Sequence, residues 1–320
     1  MKILLTGGAG FVGSHLAESL LNDGHELIVV DNLITGSKEN ILHLEANPGF
    51  RFIEGSILDY KLMLKLVTEC DSIYHLAAAV GVKFVIDNPL DSLITNVRGT
   101  EIIFELAHIF HKKVFFASSS EVYGKDAVAP FKEDDDRVMG SVSKSRWGYA
   151  FAKGFDEFLA VAYAQEKKLP IVIGRLFNIC GPRQSHNYGM VIPRFVQQAL
   201  NNQPITIYGD GKQIRSFTYI DYVVNAIKVL MDNPQAFGQL FNIGNSKFIS
   251  IGELAQKIKQ ICQSDSEIVY IPYSQVYGDN FEDMFYRVPD TSKFEKLTGF
   301  NPRIDLDQML KTIIDYHRGS

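Results

Sequence analysis

Four glycines fall between positions 7 and 13, in TGGAGFVGSHL, with an apolar run before them and helical apolar spacing after them. Glycine is costly inside regular structure, so a cluster marks backbone that must do something side chains would prevent. Ile3–Thr6 reads as a short buried strand and Phe11–Leu21 as a helix. Gly7, Gly10 and Gly13 then form the turn that joins them. Glycines there permit the tight turn, the close backbone approach and the close helix–strand packing of a dinucleotide site, with a pyrophosphate at the helix N-terminus. A second strand, Glu26–Val30, ends at Asp31, where an acidic side chain would bond the adenosine ribose hydroxyls. Asp31 would also repel a 2′-phosphate, so the spacing predicts NAD rather than NADP.

Further strands are expected at Arg51–Glu54, Asp71–His75, Val114–Ala117 and Pro170–Arg175, with helices near 60–68, 91–110 and 147–166. Alternation of this kind predicts a doubly wound parallel α/β sheet of the Rossmann type, covered on both faces. After residue 175 the rhythm breaks into shorter elements with glycine and proline turns, which predicts a smaller α/β substrate-binding lobe. FTYIDYVVNAIKVLMD and LFNIGN look like a helix and a strand returning to the sheet. The expected division is therefore 1–175 with 215–245 as the NAD-binding domain, and 176–214 with 246–320 as the substrate lobe.

A chain of 320 residues, 46% of them hydrophobic, can bury a core large enough for two such lobes. The net charge of −5, with no basic run, argues against nucleic acid as a partner. Any anionic substrate would be held by a few placed arginines. Cys70, Cys180 and Cys262 are too far apart for a disulfide framework or a zinc knuckle, and the eight histidines include no H-x-x-x-H pair, so no metal is expected. The first strand starts at the N-terminus and no apolar run reaches membrane-spanning length, so the expectation is a cytoplasmic protein without a signal peptide.

SSSEVYG follows the fifth strand, which puts its hydroxyls and the Glu121 carboxylate at the C-terminal edge of the sheet, where open α/β folds bind ligands. Tyr149 and Lys153 lie four apart on the next long helix and share a face. A tyrosine with a pKa near 10 is a poor base at neutral pH; a nearby ammonium and a positive nicotinamide ring would favour the phenolate. A drop of about three units corresponds to about 4 kcal/mol of differential stabilisation, which requires a partly desolvated site. Trp147, next to this pair, reads as packing rather than as a sugar platform.

These strings, together with HLAA at 75–78, RLFNICGPRQ, IYGDGKQIRSFTYIDYV, FNIGN and YRVPDTSK, resemble the extended short-chain dehydrogenases/reductases that modify nucleotide-diphosphate sugars. The resemblance covers essentially the whole chain. It implies Ser119 as the catalytic hydroxyl, Tyr149 as the base, Lys153 as the group that holds the nicotinamide ribose and tunes Tyr149, and Glu121 as a further acid–base group. It implies a cofactor wall of Gly7, Gly10, Phe11, Val12, Gly13, Asp31, Asn32, Ser56, Ile57, Ala77 and Ala78, although the family often has aspartate where Ser56 stands. It implies that Ser120, Asn178, Arg183, Val191, Arg215 and Arg287 bind the substrate, a UDP-sugar. Ser119-Ser120-Glu121 with KSRWGY and Arg287-x-Pro289 is most similar to the UDP-glucuronate decarboxylases. A UDP-sugar 4-epimerase, a 4,6-dehydratase and a non-catalytic NAD-binding regulator remain as alternatives. The two long helices carry apolar positions on more than one face, so a homodimer with a four-helix interface is expected.

Overall fold

Four residues in a row, Ile3 to Thr6, are completely buried, as the inner strand of a sheet covered on both faces requires. They belong to β1 (Lys2–Thr6) in a computed structural model that describes residues 1–125, 129–185, 190–278, 282–301 and 305–319. The chain continues through α1 (Phe11–Asn22), β2 (Glu26–Asp31), β3 (Phe50–Glu54), α2 (Tyr60–Glu69), β4 (Ser72–His75), α3 (Val82–Asp87), α4 (Pro89–Ile109), β5 (Lys113–Ser119), α5 (Arg146–Lys167) and β6 (Ile171–Leu176). Local chemistry sets several of these boundaries. Asp59 accepts the Leu62 amide and starts α2, and proline opens α4.

The second half contains β7 (Ile179–Cys180), α6 (Val191–Leu200), β8 (Ile205–Tyr208), β9 (Ile214–Ser216), β10 (Thr218–Tyr219), α7 (Ile220–Asp232) and β11 (Leu240–Ile243). It ends with β12 (Phe248–Ser250), α8 (Ile251–Cys262), β13 (Ile268–Ile271), α9 (Tyr273–Tyr277), β14 (Tyr286–Arg287), α10 (Ser292–Thr298) and α11 (Leu306–Arg318). Seven strands form one parallel sheet in the order β3-β2-β1-β4-β5-β6-β11. The expected helix and strand do return to this layer: α7 packs its Val223 and Ile227 into the same core as Leu16 and Leu20 of α1, and β11 pairs with β6. The opposite face is closed by α2, α4 and α5 through residues such as Leu66, Ile103 and Ala160.

The order reverses between β1 and β4, so the crossovers diverge there and leave a crevice at the C-terminal strand ends. Outside the large sheet, β9 pairs with β12 and β14, β8 with β13, and β7 with β10. A separate core of Phe195, Ile205, Leu254, Ile258 and Leu310 packs α6, α8 and α11 together. These small sheets hang over the crevice and supply its second wall.

Candidate active site

A cavity of about 880 Å³ runs along the crevice from the glycine turn to Arg215. At its first end, Gly7 has φ +73°, and a Cβ there would lie 2.6 Å from the Ala77 nitrogen. A Cβ on Gly13 would come within 2.2 Å of the Gly7 carbonyl oxygen. Side chains are thus excluded by the backbone packing itself. Gly10 caps α1 without a side-chain bond, leaving the helix N-terminus to face the cavity. Phe11, Val12, Asn32, Ile57, Ala77 and Ala78 lie on the wall. Ser56 does not: Gly55 and Ile57 on either side line the cavity, while the Ser56 hydroxyl accepts the Leu58 amide.

Asp31 ends β2 with one carboxylate oxygen accepting the Ala9 amide at 3.0 Å and the other accepting the Leu33 amide at 2.8 Å. Burial pushes its carboxyl up, against the amides that stabilise the anion. A cradle that any Cβ would fill, a helix N-terminus and a carboxylate at the end of the second strand fit NAD. Purified protein is expected to bind NAD far more tightly than NADP in direct titration, since a 2′-phosphate would meet the Asp31 anion. Tighter binding of NADP would remove Asp31 from that position.

Ser119 closes β5, and its hydroxyl oxygen accepts the Glu121 amide at 3.2 Å as the chain turns into a short 3-10 segment. That leaves the hydroxyl proton free to point at Tyr149, whose phenolate Ser119 favours. Lys153 lies one turn further along α5, 2% exposed, with Nζ 4.5 Å from the Phe116 ring centroid. All three line the cavity. The expected depression of the Tyr149 pKa is not a property of the protein's own groups. Burial pushes the phenol up and the Glu121 carboxylate adds to this, while the Ser119 hydrogen bond and Arg287 pull the other way. Burial likewise pushes the Lys153 ammonium down, opposed by Asp156 and Glu157.

Glu121 is held between two arginines, with Oε1 2.5 Å from Arg287 Nη2 and Oε2 3.2 Å from Arg146 Nη2. Burial works to raise its pKa, but Arg146 and Arg287 outweigh it and hold the carboxyl below the ordinary range. Asp283 continues the network, pairing with Arg146 at 2.8 Å and Arg215 at 3.0 Å and accepting the Tyr273 hydroxyl at 2.7 Å. Ser120 and Val191 also line this end of the cavity. The Asn178 amide donates to the Ser216 carbonyl at 2.8 Å, and its oxygen accepts from Arg287 at 3.3 Å, so Asn178 orients Arg287. Arg183 departs from the group. Its guanidinium reaches Glu18 and His15 of α1 and the Asn40 carbonyl, at the glycine-turn end of the cavity.

Arg146 and Asp283 were not singled out by the sequence. Arg146 precedes Tyr149 by three residues in KSRWGY, which places it on the same helical face; Asp283 has no local signal and reaches the site only through the fold. Trp147 is completely buried against the Tyr123, Phe131 and Phe177 cluster and donates to Glu282 at 3.1 Å, so it packs.

A doubly wound sheet with an NAD-fitting glycine turn and a Ser119–Tyr149–Lys153 group on its C-terminal edge defines a short-chain dehydrogenase/reductase of the extended kind. The chain belongs to the NAD dependent epimerase/dehydratase family, which it matches over residues 3–244. It is 43% identical to the UDP-N-acetyl-alpha-D-glucosaminuronate decarboxylase of Bacillus cytotoxicus, over 99% of this chain and 98% of that one. It is 36% identical to UDP-glucuronic acid decarboxylase 1 of Xenopus tropicalis, over 99% of this chain and 72% of that one. Among solved structures, the UDP-glucuronic acid 4-epimerase of Bacillus cereus, in complex with UDP-glucuronic acid and NAD, superposes with a TM-score of 0.89 at 30% identity, covering 100% of this chain and 99% of that one. The protein is thus an NAD-dependent enzyme of nucleotide-sugar metabolism. Among the described residues no helix is long and apolar enough to cross a membrane, and no three His, Cys, Asp or Glu side chains are grouped to hold a metal ion.

Proposed function

We propose that the enzyme decarboxylates a UDP-hexuronate to a UDP-pentose through a 4-keto sugar. The observation that carries this reading is the Glu121 carboxylate, clamped by Arg146 and Arg287 on the wall that Tyr149 shares. A simple 4-epimerase has no need of an acid–base group there. The similarity to decarboxylases of UDP-glucuronic acid and of its N-acetylglucosamine counterpart supports the same reading, since both substrates carry a carboxylate at C6.

Tyr149, bridged by Ser119, takes the proton from the sugar 4-hydroxyl, and Lys153 holds the ribose next to the ring. NAD, held at the glycine turn and Asp31, would supply the redox chemistry at C4. A 4-keto hexuronate is a β-keto acid, so the C5–C6 bond breaks readily as carbon dioxide leaves and its electron pair passes into the carbonyl. C5 then takes a proton from water, and Tyr149 returns its own to O4. Arg215, Arg287 and Asn178 are assigned to the substrate, with Ser120 and Val191 beside the sugar. Arg183 is assigned to the α1 end of the cavity, where it pairs with Glu18. In this division, residues 1–175 and 215–245 hold the cofactor and 176–214 and 246–320 the nucleotide sugar. Incubation with UDP-, GDP- and dTDP-sugars, followed by chromatographic separation and mass spectrometry, should give carbon dioxide and a UDP-pentose from a UDP-hexuronate only. UDP-galacturonate from UDP-glucuronate, without carbon dioxide, would install the 4-epimerase reading, which the similarity to the Bacillus cereus 4-epimerase favours. A 4-keto-6-deoxy product would install the dehydratase.

We also infer a cytoplasmic homodimer. On α4, Leu93 and Ile94 are exposed, and on α5, Phe151, Phe155 and Phe158 are exposed, the last at 71%. Contiguous apolar surface of this kind marks an association site, and two adjoining helices related by a two-fold axis would form a four-helix interface. Light scattering at micromolar concentration should give the dimer mass, and Phe155→Glu should give the monomer. A wild-type monomer would remove the inference.

A further inference from the structure

Beyond Tyr149 and Lys153, α5 carries two more acids, Asp156 and Glu157, at 0% and 1% exposure. Their surroundings differ. Glu157 accepts from Arg175 through both oxygens at 2.9 Å, from Ser118 at 2.5 Å and from Arg137 at 2.5 Å. Its charge is fully matched. Asp156 Oδ2 accepts from Thr100 Oγ1 at 3.3 Å, and its Oδ1 has no hydrogen-bond partner among the described residues. A buried carboxylate oxygen left in this way calls for an explanation.

The contacts leading to Asp156 have a defined direction. Ionised Asp156 can only accept, so Thr100 donates to it, and the Thr100 oxygen must take its own bond from His75 Nε2 at 3.2 Å. With Asp156 ionised, His75 is the Nε2–H tautomer, and its Nδ1, 2.8 Å from Thr6 Oγ1, accepts from that hydroxyl. Burial and Lys153 push the His75 pKa down to about 3, which keeps the ring neutral. Thr6 in turn accepts the amide of Ala77 on the cofactor wall at 3.2 Å. A buried polar chain thus joins the cofactor turn to Asp156, which lies one turn from Lys153 on the same helix face.

We propose that Asp156 is a positioning residue for the catalytic pair, its carboxylate acting on both Lys153 and Tyr149 and so setting the pH window in which Tyr149 acts as base. This rests on the reading of Tyr149 as the base. The charged and titratable groups facing Asp156 are Lys153, Tyr149 and Glu157 from α5 and His75 from β4, the last through Thr100 of α4. Arg137 and Arg175 are committed to Glu157. Burial drives Lys153 towards the neutral amine and raises the Asp156 carboxyl to about 7. Ionised Asp156 raises the pKa of both Lys153 and Tyr149. Removing its charge should therefore lower both.

The test uses Asp156→Asn, which keeps the shape and the bond from Thr100. Both limbs of the kcat/KM pH profile should move to lower pH, by about one unit, the scale of a single neighbouring charge. A purely structural role would lower the rate without moving the limbs. A second readout needs no cofactor: the pH at which the Lys153 amine becomes reactive to a small acylating reagent, read at that residue by mass spectrometry, should fall. Thr100→Val, which withdraws the one hydrogen-bond donor to Asp156 among the described residues, should shift the Lys153 midpoint the same way by less. Unmoved limbs and an unmoved Lys153 midpoint in Asp156→Asn would overturn the inference. If that variant does not fold, an unmoved midpoint in Thr100→Val would do so. A Tyr149→Phe enzyme that keeps its rate would instead overturn the base assignment, and the labelling midpoint would still decide the role of Asp156.

Discussion

Tyr149→Phe should lower turnover by at least the ~10²–10⁴-fold typical of losing a general base, with NAD binding retained. The phenol ring packs as before, and only the oxygen shared with Ser119 is lost. Glu121 does not replace it, because Arg146 and Arg287 hold its carboxyl below the ordinary range, and the Ser119 oxygen already accepts the Glu121 amide. The measurement is single-turnover formation of the 4-keto sugar, which isolates the first chemical step from product release. In the wild type that step should accelerate with rising pH, because burial and Glu121 hold the phenol above its ordinary pKa in the protein's own field. A variant that forms the keto sugar at the wild-type rate would show that another group takes the proton.

The large sheet was legible because parallel inner strands are continuous apolar runs and glycine and proline punctuate them. Strands expected at 51–54 and 114–117 are observed at Phe50–Glu54 and Lys113–Ser119, and helices expected near 91–110 and 147–166 at Pro89–Ile109 and Arg146–Lys167. The glycine turn was legible for a related reason. Gly7 and Gly13 are forced by backbone contacts, and that steric demand leaves a mark in the sequence. Charge pairing leaves none. Arg287 and Glu121 are far apart along the chain, and nothing local says that one will clamp the other. The same holds for Asp283, which joins Arg146 to Arg215 across elements from both halves of the chain. Arg183, which a family string marked for the substrate, lines the cavity with a left-handed backbone, φ +65°, and pairs with Glu18 of α1, a contact no local signal announced.

Glu121→Gln should separate oxidation at C4 from the loss of carbon dioxide. The substitution keeps the side chain's shape between Arg146 and Arg287 but removes the anion that both arginines match. Glu121 is one of the groups that raise the Tyr149 pKa, so its neutralisation makes Tyr149 a more readily ionised base, and the first step should proceed. The later step should not. With Glu121 uncharged, Arg146 and Arg287 lose the anion they match on the wall that Tyr149 shares, and that wall no longer carries a carboxylate for the step after oxidation. The expected result is rapid build-up of reduced cofactor with UDP-glucuronate, seen as near-ultraviolet absorbance, while carbon dioxide release falls by ~10²-fold or more, the scale of losing an acid–base group. Arg287→Lys offers a comparison, since it keeps the charge but loses the fork that meets Glu121 and Asn178 together. If Glu121→Gln releases carbon dioxide at the wild-type rate and accumulates no reduced cofactor, Glu121 has no part in decarboxylation, and its clamp serves only to hold the two arginines apart.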